Sequence, residues 1–340
     1  MLTRKAGHEI LTRSESQSEL QWIEQIARTC YKSEEYITDD GTSAEKLVTN
    51  LVNRKHYAML EHASIILKMD YELYTHIKHL ASLIDELDCM THTYLKFSAY
   101  DGRYIVSGNM RAWLDFLTAC ESGAAPVPHA VLYTLGGGSS PELKHSRQIV
   151  FGNLLKFEGP VQSASYCEEI QPYHLLRCAE MLVHFPVTVK WTCDRGVTHE
   201  IVRHRDASYA QESTRYCNYN KEKYGSQVTF INLSRGMELD AAVAKLPEGI
   251  KEEIYTIWFN AMEYAETAYM EMIKLGATPQ IARSVLPNSV KTELIMTATL
   301  DEWTKFFTLR LPAAAHPQMR EVAQGCFDEL HSMYPEIFLD

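Results

Sequence analysis

No stretch of this sequence approaches the ~20 consecutive apolar residues that span a bilayer. Positive charge is also scarce. The 340 residues hold 33 Lys and Arg against 44 Asp and Glu, a formal charge of -11. That balance argues against a general nucleic-acid or membrane-surface binder, which needs a broad basic face. The eight cysteines form no Cys-x-x-Cys pair; they predict reduced thiols and a cytoplasmic protein. Met1-Leu2-Thr3-Arg4-Lys5 has no apolar core behind it, so no secretory signal is expected. Of the 14 histidines, none makes a His-x-x-x-His pair beside a suitable carboxylate, and no metal is expected. Gly136-Gly137-Gly138-Ser139-Ser140 is not followed by Gly-Lys-Ser/Thr, so it is no phosphate loop and reads as a flexible connector.

What is present is a 46% hydrophobic chain with ample material for a core. Helices outnumber strands and the two are mixed, which predicts an α/β (mixed α+β) fold. The spacing predicts a helix over 16–31 with Ser16 and Glu19 as a capping box. Another is expected from Ser43. A strand over 64–69, a helix over 71–87, a strand over 103–106 and a helix over 112–119 follow. Residues 121–141 have loop composition, and 145–169 give weak signals. Alternation from Pro186 to Cys193 predicts a strand, with Asp194 capping a helix over 197–205. A long helix is expected over 248–275, with Ile250, Ile254, Ile257, Ala261, Ala265, Ala268 and Met272 on or near one stripe. Thr278-Pro279 opens a short helix. A strand over 290–299 precedes helices from Asp301 and Pro317.

Against the acidic background, Arg203-His204-Arg205 and Ser213-Thr214-Arg215 are a dense set of anion donors. Arginine presents a rigid fork that suits phosphate. Glu200 and His204 share a helix face, and Ser213 and Arg215 point one way if their segment is extended. The alternative is a surface ion-pair network of Arg203, Arg205 and Arg215 with Glu200, Asp206 and Glu212. Arg283 follows Pro279, and Arg310 ends the helix begun at Asp301.

Arg203-His204-Arg205-x7-Ser213, within the longer run Arg203 to Tyr219, resembles the defining motif of the flavin-dependent thymidylate synthases. Ala27 to Tyr31, His56 to His62, Ala282 to Pro287, and Phe306 to Arg310 with His316-Pro317-Gln318 resemble further segments of that family, in family order. The resemblance covers 1–68 and 188–335. It implies helices packed on a mostly antiparallel sheet, assembled as a homotetramer. It also implies reductive methylation of dUMP to dTMP, with carbon from 5,10-methylenetetrahydrofolate and electrons from NADPH through FAD. By position, Arg203, His204, Arg205, Gln211 and Lys305 would contact FAD, with His56 beside the flavin ring. Glu200, Arg203, Gln211, Ser213, Arg215 and Arg283 would hold dUMP, and Arg310 would face the uracil. Ser213 is a ligand on this reading, and Cys30 and Cys217 are packing residues. Two alternatives stand beside it: methylation of another pyrimidine nucleotide, and a catalytically silent nucleotide- or RNA-binding homologue.

Two departures matter. An asparagine common in the family's flavin site is replaced by Thr299. Residues 69–187 fall outside the family pattern and read as an insertion. Within it, 105–116 align without gaps to 295–306, matching Trp113 with Trp303 and Asn109 with Thr299. The insertion therefore reads as a decayed internal repeat, in which Asn109 and Arg111 supply flavin contacts that Thr299 and Asp301 cannot. Coincidence between two strand–helix units is the alternative.

Overall fold

The computed structural model describes residues 1–87, 94–123, 126–156, 165–172 and 179–338. Its strands are β1 (Leu2–Arg4), β2 (Gly7–Leu11), β3 (Ser64–Met69), β4 (Lys96–Tyr100), β5 (Arg103–Asn109), β6 (Cys167–Glu169), β7 (Pro186–Asp194), β8 (Ser208–Gln211), β9 (Thr229–Ile231) and β10 (Lys291–Thr299). Two four-stranded antiparallel sheets result, in the orders β2-β7-β10-β8 and β4-β5-β3-β6; β1 and β9 form a small parallel pair. The expected mixed α/β class with a mostly antiparallel arrangement is what the chain adopts.

The helices follow their caps. α1 (Glu19–Tyr31) opens one turn later than expected, with Ser18 and Gln21 forming the capping box. Ser16 instead shares a hydrogen bond with Ser14, and Glu19 is committed to a buried ion pair. α2 (Thr42–Asn53) and α3 (Tyr71–Leu87) match their expected spans, and α4 (Met110–Glu121) starts at Asn109, whose side chain caps it.

The expected loop at 121–141 contains a helix, α5 (His129–Leu135). The glycines after it form a built turn, not a flexible connector. Gly137 has φ 94°, and a Cβ there would lie 2.6 Å from the Lys144 amide nitrogen. Only glycine fits that approach. Ser140 then caps α6 (Pro141–Phe151). The weak signals beyond 145 hide a buried charge. Arg147, 0% exposed, donates two bonds to Glu19 and reaches Glu169 of β6 at 3.0 Å. This cluster fastens β6 and α6 to α1.

In the second half, Asp194 caps α7 (Arg195–Ile201) as expected, but the helix stops before the arginines. α8 (Ser234–Leu239) precedes α9 (Glu248–Lys274). Then come α10 (Pro279–Ala282), with Thr278 and Pro279 in the expected cap and first-turn positions, α11 (Leu300–Arg310) and α12 (Pro317–Met333). The expected α9 stripe is only partly the packed one. Met262, Ala265 and Tyr269 are buried, whereas Ile257 is 64% and Tyr264 77% exposed. Periodicity alone could not choose between two apolar faces of one helix.

Truncating Arg147 leaves Glu19 buried without its counter-charge. Arg147→Ala should therefore cost about 3–5 kcal/mol of unfolding free energy in a urea titration. A change below about 1 kcal/mol would remove this cluster from the framework.

Candidate active site

The arginine segment leaves α7 as a turn. The backbone N–H groups of Arg203 and His204 donate to the carbonyls of Glu200 and Ile201. The Tyr209 hydroxyl, from β8, donates to Ile201 O at 3.0 Å and also to His204 O. Arg203 and Arg205 are thus exposed on a pinned turn. His204 lies inward, 3.1 Å from Glu302 and edge-on to Phe306. Lys305 pairs with the same Glu302 and with Asp301. Arg310 reaches back from the end of α11 and donates from Nη2 to Glu200 O at 2.8 Å, while its buried Nε has no partner among the described residues.

The second donor group is built on the far side of β8. Gln211 donates to Thr198 at 3.0 Å. Ser213 N donates to Cys30 O at the end of α1. Beyond it the chain turns: Tyr216 N and Cys217 N both donate to Ser213 O, and Arg215 N donates to Ser213 Oγ at 3.3 Å. The segment is therefore not extended as expected. The serine hydroxyl offers the backbone a local turn that competes with the strand. Arg283 donates to Thr214 Oγ1 at 3.2 Å. Arg215 is exposed over the Tyr216 ring.

Among the described residues, Arg203, Arg205, Arg215, Arg283 and Arg310 make no ion pair. The ion-pair network that was the alternative does not form. Glu212 is buried and bonded to Lys291 and Tyr219 instead. Lys291 and Lys32 also hold Glu293, whose carboxyl stays at about 2 although burial opposes its charge. Cys30 is no nucleophile: burial pushes its thiol up to about 12. Cys217 is raised in the same way.

A cleft of about 480 Å³ opens where the two sheets meet. It brings together Arg205 from the turn, Asn109 and Arg111 from the start of α4, and Glu61, Lys96 and Thr299. Arg111 contacts Glu61 at 2.5 Å and Asp115 at 3.4 Å. Lys96 donates to Thr299 Oγ1 at 2.9 Å, and that hydroxyl donates to Asp301 at 2.6 Å. Asp301 is held below the usual carboxylate range; burial opposes this, but Thr299, Lys96 and Lys305 outweigh it. Of the expected flavin contacts, Arg205, Asn109 and Arg111 line this cleft, whereas Arg203, His204, Gln211 and Lys305 lie outside it. None of the expected nucleotide residues lines it. His56 is exposed at the start of the 3-10 turn 57–62, also away from the cleft.

Glu61 and Lys96 were missed by sequence reasoning. Glu61 stands in the His56 to His62 segment, which was the available signal. Lys96 carries no motif. A second missed pair sits where the sheets meet. Buried His62 shares a 2.7 Å hydrogen bond with Thr297 of β10, and buried His184 shares a 2.6 Å bond with Ser107 of β5. Residues 235 positions apart in sequence leave no local signature.

Residues 174–336 match the profile of a family described as thymidylate synthase complementing protein. A protein of Mycobacterium sp. (strain JLS) named flavin-dependent thymidylate synthase is 30% identical over 198 residues, which cover 52% of this chain and 70% of that protein. The chain belongs to the flavin-dependent thymidylate synthase family. Proteins of that name from Pyrococcus abyssi and Pyrococcus furiosus are 36% and 37% identical over 140 residues, 41% of this chain. The chain spans about half the length of these two relatives, 51%. In this member of the flavin-dependent thymidylate synthase family, the matched region begins near the 3-10 turn 179–184 and ends in α12.

Burial depresses both histidines of the sheet junction to about 4; Lys96 lowers His184 further, against an opposing pull from Asp301. An unfolded histidine titrates near ~6.5. The unfolded chain therefore binds more protons between these values. Stability is full above about pH 6.5 and falls as pH drops toward 4, by about 3 kcal/mol per histidine. Replacing both (His62→Asn, His184→Asn) should flatten the urea midpoint across that window. A slope unchanged from the parent would show that other groups set the acid sensitivity.

Proposed function

We propose that this chain catalyses the reductive methylation of dUMP to dTMP, with methylenetetrahydrofolate as carbon donor and NADPH as reductant through bound FAD. One observation carries the reading. In a chain with 44 Asp and Glu, the five arginines of the motif and its companions make no ion pair among the described residues. Forked donors kept open on pinned backbone suit anionic ligands, here a nucleotide phosphate and a flavin pyrophosphate. The residues present fit a flavin: Arg205 and Arg111 stand in one cleft with Asn109, whose carbonyl caps α4. When bound, the flavin supplies the hydride chemistry; the protein supplies orientation and electrostatics.

On this reading Arg215, Ser213 and Arg283 hold the phosphate of dUMP. Each charge-assisted bond contributes about 1.5–3 kcal/mol. Arg203, Glu200 and Gln211 line the nucleotide, and Arg203 also faces the flavin with His204, Arg205 and Lys305. His56, exposed and outside the cleft of its own chain, would stand at the flavin ring of a neighbouring chain. Arg310 meets the negative charge that develops on the uracil as C5 becomes nucleophilic. Its bond to the Glu200 carbonyl holds it in place, and its unpartnered Nε remains to donate. None of the nucleotide residues lines the cleft within one chain, which suits ligands bound where chains meet. We accordingly propose a cytoplasmic homo-oligomer, a tetramer by family resemblance. The exposed apolar residues Ile250, Ile257 and Tyr264, spaced by heptads on α9, supply a surface for it.

The protein should take up FAD, turn yellow, and release tritium from C5-labelled dUMP when given methylenetetrahydrofolate and NADPH. Release from a different pyrimidine nucleotide would move the reaction to that substrate. Flavin uptake with no release from any would leave a silent binding homologue. Arg310→Ala should lower kcat by about 100-fold while dUMP affinity changes far less. Equal loss of both would contradict its role. Arg215→Ala should weaken dUMP binding by at least about tenfold.

Ile257→Glu with Tyr264→Lys should reduce the mass of the assembly in light scattering. An unchanged mass would place the contact elsewhere.

A further inference from the structure

The two sheets have one plan. Read as β2-β7-β10-β8 and β6-β3-β5-β4, they match strand for strand. A six-residue 3-10 turn leads into each of β3 and β7, over 57–62 and 179–184. Ser64 pairs with Asn109 in one sheet as Pro186 pairs with Thr299 in the other. Just outside those pairs, Met110 N donates to Ala63 O at 2.8 Å, and Leu300 N to Phe185 O at 2.9 Å. Trp113 donates to Ile65 O and Trp303 to Val187 O, again equivalent atoms. On the outer strands Lys68 pairs with Glu168 as Lys190 pairs with Glu9. The crossing bonds are reciprocal: His62 of the first unit meets Thr297 of the second, and His184 of the second meets Ser107 of the first. A coincidental strand–helix likeness would not reproduce register, tryptophan bonds and crossed histidines together.

The units differ where ligands would bind. Lys96 pairs with Ser107 as Ser208 pairs with Thr297. The stretch from β8 to β10 carries Ser213, Arg215 and Arg283. Its counterpart, between β4 and β5, is the two-residue turn Asp101-Gly102 with φ 49° and 68°. That is a type I′ hairpin with no room for a nucleotide wall. Conversely, the first unit has Asn109 and Arg111 where the second has Thr299 and Asp301. There Lys96, Thr299 and Asp301 bond to one another.

We infer that the chain is two diverged copies of one unit joined about a pseudo-two-fold axis, and that it builds one flavin-phosphate cleft where a symmetric pair would build two. Arg205 comes from the second copy, and Asn109 and Arg111 come from the first. Lys96 and Thr299 line the other wall of this same cleft, and there Thr299 bonds both Lys96 and Asp301, an acid in place of Arg111. This rests on the flavin reading above and adds stoichiometry and asymmetry to it.

Titration of flavin-free protein with FAD, followed by flavin absorbance, should saturate at one FAD per chain. Two per chain would overturn the inference while leaving the flavin reading intact. No uptake at all would remove the flavin reading, and this inference with it. Arg111→Ala should weaken FAD binding by at least about tenfold, the loss of one charge-assisted bond. Asp301→Ala should leave it within about twofold. Equal losses in the two variants would make the walls equivalent and end the asymmetry. Circular dichroism on both variants separates lost binding from lost fold.

Discussion

The junction between the two sheets rests on two histidines that must stay uncharged. Each is buried, and each shares a hydrogen bond with a hydroxyl of the opposite sheet. Burial disfavours a charged ring there, and the desolvation cost would fall on the joint itself. Thr188 adds a third hydroxyl, 2.8 Å from Thr297. The cleft opens beside this polar seam, lined by Ser107, His184 and Thr297. Its shape is therefore fixed by bonds that no ligand needs to make.

Charge placement completes the site. Several carboxylates are satisfied by other groups. Glu212 and Glu293 share Lys291, Glu24 takes Arg28, Glu302 takes His204 and Lys305, and Glu19 takes Arg147. Several of these pairs are partly or fully buried, where the geometry of each is fixed. The motif arginines are exposed and solvated, so holding them unpaired costs little. The net charge of -11 then limits non-specific anion binding elsewhere on the surface.

Legibility followed the range of the interaction. Strand β3 and helix α3 were readable to the residue because alternation, an Asp cap and apolar spacing are local. So were Asp194 and Thr278-Pro279. The Ser16 cap failed because Glu19 had a partner 128 residues away in Arg147. The turn after Gln211 failed because one serine side chain outcompeted a strand pattern. The α9 stripe failed because both faces are apolar and only tertiary packing chooses. Arg205 was read as a flavin contact from its motif, and Asn109 and Arg111 from a twelve-residue alignment; the same cleft holds all three. Lys96 and the crossed histidines had no local pattern to betray them.

On the proposed reading of two copies in one chain, what each residue is required to do changes. In a symmetric pair every wall must serve its own site and its partner's, so no position can drift. Fusion lifts that requirement, because the crossed histidines, the tryptophan bonds and the outer Lys–Glu pairs hold the frame whatever the walls become. The first unit could then exchange a nucleotide loop for a two-residue hairpin. The second could trade the Asn–Arg wall for Thr299 and Asp301, a charge reversal that would repel a phosphate. Neither loss is tolerable alone in a protein that must bind its ligands. Together they are compensated, because what one unit gave up the other kept. The retained halves, Arg205 on one side and Asn109 with Arg111 on the other, meet in a single cleft.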